Sequence, residues 1–206
     1  MDPFGALPRL SHQAEGVIEP GDEQLVQEAQ AGKLPSFNAL IERHERPLYN
    51  LVLRHVSDHQ LTEDVTQEAF LSAWRALHTF KGGSFKAWLY RIAVNEARDL
   101  YRSRSRRPAN SLDDMLEQGV GLGFEADSAP GPEEAALSAA TISAVERCLL
   151  KLPEEHRIVV LLSDVHGLTY DEVCQTLDLP LGTVKSRIFR ARAALRKLLI
   201  ASGELS

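Results

Sequence analysis

The run TYDEVCQTLDLPLGTVKSRIFRARAALRKLL, residues 169–199, narrows the possible folds more than any other part of the chain. It predicts two helices joined by a tight turn. Thr169 and Glu172 form a T-x-x-E capping box, which starts the first helix near Tyr170. Val173, Cys174 and Leu177 supply its apolar side. Pro180 ends it, because the residue before a proline avoids helical dihedrals. In the second helix Val184, Ile188, Ala191, Leu195 and Leu198 recur at steps of four and three, one apolar stripe. Lys185, Phe189, Arg192 and Arg196 fall on another face, with Ser186, Arg190 and Lys197 beside them. Leu181 to Ile200 holds six Lys/Arg and no Asp or Glu. A helix apolar on one side and purely cationic on the other, after a short helix and turn, suits the major groove of duplex DNA.

The net charge of −6 runs against DNA binding if taken globally. The charge is segregated, however. Pro108 to Glu146 carries eight acids and no Lys or Arg, while cations concentrate at Arg98–Arg107 and Lys185–Lys197. Local field decides where a polyanion docks. Cys148 and Cys174 are far apart and are expected to be reduced core residues. The N-terminus MDPFGALPRL has no signal-peptide pattern, and no apolar run approaches the ~20 residues that span a bilayer. No stable membrane insertion is expected, and the chain is placed in the cytoplasm.

No segment alternates like a strand, so the fold class is all-α: two small helical domains joined by a flexible acidic linker. Residues 1–20 read as a disordered tail rich in proline and glycine. Residues 21–104 form the first domain. Asp22 is expected to cap a short helix ending at Gly32, Pro35 opens the next, and Pro47 should kink it. A third helix runs from about Leu61 to Leu77, and Ser84 caps a fourth. Residues 105–137, with their glycines, prolines and acids, are the linker. Residues 138–201 form the second domain, which ends in the helix-turn-helix.

The first domain carries its own nucleic-acid pattern. Trp88, Arg91, Asn95, Arg98 and Arg102 step by three and four along the fourth helix. Before them, Phe80-Lys81-Gly82-Gly83-Ser84-Phe85 is a glycine loop flanked by aromatics. Aromatics stack on bases and arginines hold phosphates, the combination that grips a single strand. The third helix differs. Glu63, Asp64, Gln67 and Glu68 make an acidic face suited to a basic protein partner, opposite Val65, Ala69, Phe70, Ala73 and Trp74. His55-x-x-x-His59 has metal-ligand spacing, but a third ligand is not identifiable. No metal, cofactor or catalytic residue is expected.

LTEDVTQEAFLSAW, FKAWLYRIAVNEARD and the run from Leu152 through the helix-turn-helix, in that order, resemble the extracytoplasmic-function (group 4) sigma factors of bacterial RNA polymerase. The resemblance covers about residues 21–104 and 138–199, corresponding to sigma domains 2 and 4. It implies an alternative sigma factor, not an enzyme, which lends promoter specificity to core RNA polymerase. It places Asp64, Gln67 and Glu68 on the polymerase. It places Phe80, Ser84, Phe85, Trp88, Arg91, Asn95 and Arg98 on the melted minus-10 strand, with a flipped base in the Thr79–Phe85 loop. Lys185, Ser186, Arg187, Phe189 and Arg190 would read the duplex minus-35 element, with Arg192 and Arg196 on phosphates. An anti-sigma factor is the expected regulator.

Overall fold

The computed structural model describes residues 20–105 and 144–203, and for 101–105 the helical backbone alone. The expected tail (1–20) and linker (105–137), and the expected start of the second domain, lie outside the described residues apart from their edges.

Four helices build the first unit: α1 (Asp22–Gln30), α2 (Leu34–Val56), α3 (His59–Ala76) and α4 (Phe85–Ser105), with a 3₁₀ turn at Leu77–Thr79. The second unit holds α5 (144–150), α6 (Glu154–Val160), α7 (Tyr170–Leu177) and α8 (Leu181–Ala201). A π-helical turn, Leu161–Val165, continues α6, and its wider spacing shows in the bond from the His166 N–H to the Leu161 carbonyl. Among the described residues there is no strand, and no helix is long and apolar enough to cross a membrane.

Local chemistry sets the element ends. α2 begins with Pro35 in its first turn, where a missing N–H costs nothing, and continues through Pro47 to Val56. Ser57 closes it in the left-handed conformation, and the next residue, Asp58, accepts from the Leu61 N–H at 2.8 Å to start α3. The Ser84 hydroxyl accepts from the Ala87 N–H, as a cap should. Asp22 departs from expectation. It does not cap α1, whose N-cap is Gly21. Its carboxylate instead meets Arg43 and His44, each at 2.7 Å, and so ties α1 to α2. A charged guanidinium and an imidazole on a packed helix outcompete the local backbone N–H. Burial pushes the Asp22 carboxyl up, but these two partners bring it below its ordinary value.

Tyr90, Leu40, Leu48, Leu51, Leu89 and Val65 of the first unit and Leu149, Ile158, Leu161, Leu162 and Ile188 of the second are buried in one continuous apolar core. Cys148 is buried, Cys174 partly so, and both are free thiols. Trp74 does not join the core with Ala69, Phe70 and Ala73; it is 39% exposed.

The capping box at α7 is complete. The Glu172 N–H donates to the Thr169 hydroxyl at 3.3 Å, and the Thr169 N–H donates to the Glu172 carboxylate at 2.7 Å. Thr169→Ala is expected to cost about 1 kcal/mol. In a unit this small that lowers the melting midpoint by several degrees, measurable by circular dichroism. An unchanged midpoint would mean that packing alone holds α7.

Candidate nucleic-acid and partner surfaces

Three surfaces carry the residues that the sequence singled out. The first is the loop before α4. Gly82 and Gly83 take φ of +101° and +93°, conformations that side chains with a Cβ rarely adopt. A Cβ at either would meet nothing within 4 Å, so their role is backbone shape and open space. Gln30 of α1 holds the loop from below. Its amide donates to the Leu77 and Phe80 carbonyls, both at 2.9 Å. Phe80 rests on Trp88 and Phe85, with ring centroids 5.3 and 6.1 Å away. A cavity of about 140 Å³ opens beside the loop, walled by Thr79, Phe80, Lys81, Trp88 and Arg91. Arg91 and Asn95 are exposed, and Trp88 and Arg98 half-buried, along one side of α4. Phe85 corrects its expected role: at 3% exposure it belongs to the core and reaches the surface only as the support beneath Phe80 and Trp88.

The second surface lies between α2 and α3. Asp64 and Gln67 are exposed, and the Glu68 carboxylate pairs with Arg75 at 3.1 Å. Beside them runs a groove of about 610 Å³, lined by Leu34, Phe37, Ile41, Phe70, Leu71 and Trp74, with Glu45, Glu63 and Gln67 at its polar positions. Leu34, Leu71 and Trp74 are 54, 44 and 39% exposed. An open apolar channel with carboxylates beside it fits an amphipathic basic helix. The acidic face was legible in the sequence. The channel was not, because it depends on how α2 crosses α3.

The third surface is α8. Val184, Ile188 and Ala191 are buried, whereas Lys185, Ser186, Phe189 and Arg190 are exposed, Phe189 by 76%. Arg187 turns toward α6, where its guanidinium pairs with Glu155 at 2.8 Å. Arg192 grips Asp164 with two bonds of 2.9 and 2.6 Å. That fork lowers the Asp164 carboxyl and raises the Arg192 guanidinium further. Arg196 stays exposed.

His55 and His59 do not converge. The His55 ring faces Glu154 at 3.5 Å, and His59 meets the Tyr49 hydroxyl at 3.0 Å. Among the described residues no three His, Cys, Asp or Glu side chains gather into a metal site.

Comparisons with known proteins follow the same division. Residues 40–107 match the family described as Sigma-70 region 2, and residues 142–195 match Sigma-70, region 4. The chain is 39% identical over 183 residues to the RNA polymerase sigma-H factor of Pseudomonas aeruginosa, spanning 86% of this chain and 93% of that protein. It is 40% identical over 176 residues to the ECF RNA polymerase sigma-E factor of Escherichia coli, spanning 84% and 92%. The structure of CnrH in complex with the cytosolic domain of CnrY superposes with a TM-score of 0.62 at 30% identity, covering 87% of this chain and 97% of that one. The sigma factor RpoE of Bartonella quintana, solved with the anti-sigma factor NepR, shares the fold at a TM-score of 0.62 and 23% identity, covering 81% and 98%.

Proposed function

The chain belongs to the sigma-70 family, in its extracytoplasmic-function group, and on that premise we propose how its three surfaces divide the work of an alternative sigma factor. Domain 2 spans residues 21–104 and domain 4 residues 138–201. Asp64, Gln67 and Glu68, with the apolar groove beside them, take a basic amphipathic coiled coil of core RNA polymerase. An anti-sigma factor competes for the same face or for α8. The protein works in the cytoplasm, and the chemistry of transcription stays with the polymerase.

The single observation that carries the reading is the coexistence, in one chain, of an open acidic groove, an aromatic glycine loop and a cationic recognition helix. A simple duplex-binding regulator needs only the last. The loop receives a flipped base of the minus-10 element, and Trp88, Arg91, Asn95 and Arg98 track the melted strand, with Phe80 and Ser84 at its entry. Flipping costs a few kcal/mol, which stacking at ~1–3 kcal/mol per base offsets. Lys185, Ser186, Phe189 and Arg190 face the minus-35 major groove. Arg187 joins them by exchanging Glu155 for a base edge, and Arg192 and Arg196 hold phosphates.

The test is capture of core RNA polymerase by the purified protein. Wild type is expected to bind tightly. The double variant Asp64→Ala/Glu68→Lys is expected to lose at least ~100-fold in affinity while keeping its helical circular-dichroism signal, since reversing a charge at an interface leaves repulsion where there was attraction. Equal binding by both proteins removes the assignment of this face. Failure of wild type to bind removes the sigma-factor reading.

A further inference from the structure

The glycine loop before α4 has little to pack against. Lys81, Gly82 and Gly83 are exposed, and the two glycines, both at positive φ, bring no side chain to anchor it. The cavity of about 140 Å³ lies on the α4 side of the loop. A second cavity, of about 320 Å³, lies on its α1 side, walled by Glu23, Val26, Gln27, Gln30 and Gly83. A wall with open space on both faces lacks the contacts that would fix its place. Phe80 borders both cavities, so its position shapes each of them.

The turn that delivers Phe80 is gripped by one side chain. The Phe80 N–H closes the Leu77–Thr79 turn on the Leu77 carbonyl at 3.1 Å, and the chain leaves the turn extended at Phe80. The Gln30 amide donates to the Leu77 carbonyl and to the Phe80 carbonyl, both at 2.9 Å. An amide nitrogen carries two hydrogens, one for each carbonyl, and the Leu77 carbonyl has a second lone pair for its second donor. Gln30 therefore spans both ends of the closing bond and fixes the direction in which Lys81 sets out. Its own place is set by a packed helix. Leu25, Val26 and Ala29 of α1 are buried, and Asp22 ties the other end of α1 to Arg43 and His44 of α2. Gln30 itself is exposed and fills no core.

We propose that Gln30 is a positioning residue for base discrimination: by holding the Phe80 wall it sets which base the loop cavity accepts. The inference rests on the reading that the loop takes a flipped minus-10 base. Without the two bonds, Phe80 is free to shift against Trp88 and Phe85, whose ring centroids stand 5.3 and 6.1 Å away, and the cavity no longer keeps one shape. A cavity of variable shape still stacks a base, because every base has a π-face, but it ceases to tell one base from another. The loss falls on selectivity rather than on affinity for the strand.

The test is selection from short randomised single strands by holoenzyme assembled from core RNA polymerase and the full chain, as wild type, Gln30→Met and Gln30→Lys, with circular dichroism on each chain. Methionine keeps the length and removes the donors, whereas lysine keeps a donor group able to serve both carbonyls. Wild type is expected to select one base strongly at the flipped position. Gln30→Met is expected to cut that preference roughly tenfold, within what two ordinary hydrogen bonds supply. Preferences at the other positions, polymerase capture and helicity are expected to stay at wild-type values, and Gln30→Lys to keep the wild-type profile. An unchanged profile in Gln30→Met overturns the inference. So does an equal flattening at every position, which would make Gln30 a structural residue only. Wild type that retains strands with no base preference at any position removes the minus-10 reading of the loop itself, so the two failures are told apart.

Discussion

Ile188→Ala is expected to unfold the second helical unit, while Phe189→Ala, one residue on, is expected to leave its stability unchanged and to weaken minus-35 binding. The two side chains project from different sides of α8, about 100° apart. Ile188 is 2% exposed and sits in the core of the second unit, whereas Phe189 is 76% exposed. Truncating a buried isoleucine costs about 2–5 kcal/mol. The unit described here has about 60 residues, and at roughly 0.05–0.15 kcal/mol per residue its whole stability is about 3–9 kcal/mol. The first substitution therefore removes much or all of it. Phe189 makes no comparable contribution, because its ring is already in water. In the major groove a phenylalanine packs against a thymine methyl, and loss of recognition at one base pair of a site costs about 1–3 kcal/mol. Loss of that recognition lowers duplex affinity by roughly 5- to 150-fold. Thermal melts followed by circular dichroism, and duplex binding by the polymerase-bound protein, read the two effects. A melting loss in Phe189→Ala as large as that in Ile188→Ala would contradict the facing of α8.

The same helix shows why much of this fold was legible in the sequence. Val184, Ile188 and Ala191 declare the buried side by spacing alone, and the Thr169–Glu172 box declares where α7 begins, because both signals act over three or four residues. Ser84 is a cap for the same reason. Signals failed where a distant partner decided the outcome. Asp22 has the residue type and place of a cap, yet Arg43 and His44, some twenty residues on, take its carboxylate. Gln30 supports the glycine loop before α4 through carbonyls 47 and 50 residues away, and nothing near it in sequence says so. Arg187 sits with the cations of α8 by composition, but Glu155 draws it toward α6. The buried Arg54–Glu146 ion pair between α2 and α5 was invisible for the same reason: its partners are 92 residues apart. Periodicity tells which face of a helix is apolar, not which element will cover it.

Mild acid is expected to loosen the contact between the two helical units, where Arg54 of α2 pairs with Glu146 of α5 at 3.2 Å and Tyr90 meets the His166 ring at 3.0 Å, and the buried histidines His55 and His166 set the sign. Burial, then the neighbouring charges of Arg157 and Arg98, holds His55 down to about 4, from an ordinary 6.5. Burial, with Lys86 and Arg54 nearby, holds His166 down to about 3. Glu154 lies 3.5 Å from His55, but its side chain is 60% exposed, so solvent screens the help it could give to a proton. Parting the two units returns both rings to water and to their ordinary affinity for protons. The open state then binds more protons than the closed one throughout the range between those values. The stabilisation of the closed state is fully present above pH 6.5 and is lost as pH falls toward 4. For His55 alone it amounts to about 3 kcal/mol at most. Glu146 acts in the opposite sense, since burial holds its carboxyl above the ordinary 4.5 and acid favours its buried form. Its displacement is the smaller, so the histidines prevail. The expected result is a radius of gyration that rises between pH 6.5 and 4 at constant helicity. His55→Phe keeps the ring volume without the proton and is expected to blunt the rise. If the transition is identical in that variant, His55 does not couple protons to the closure of the two domains.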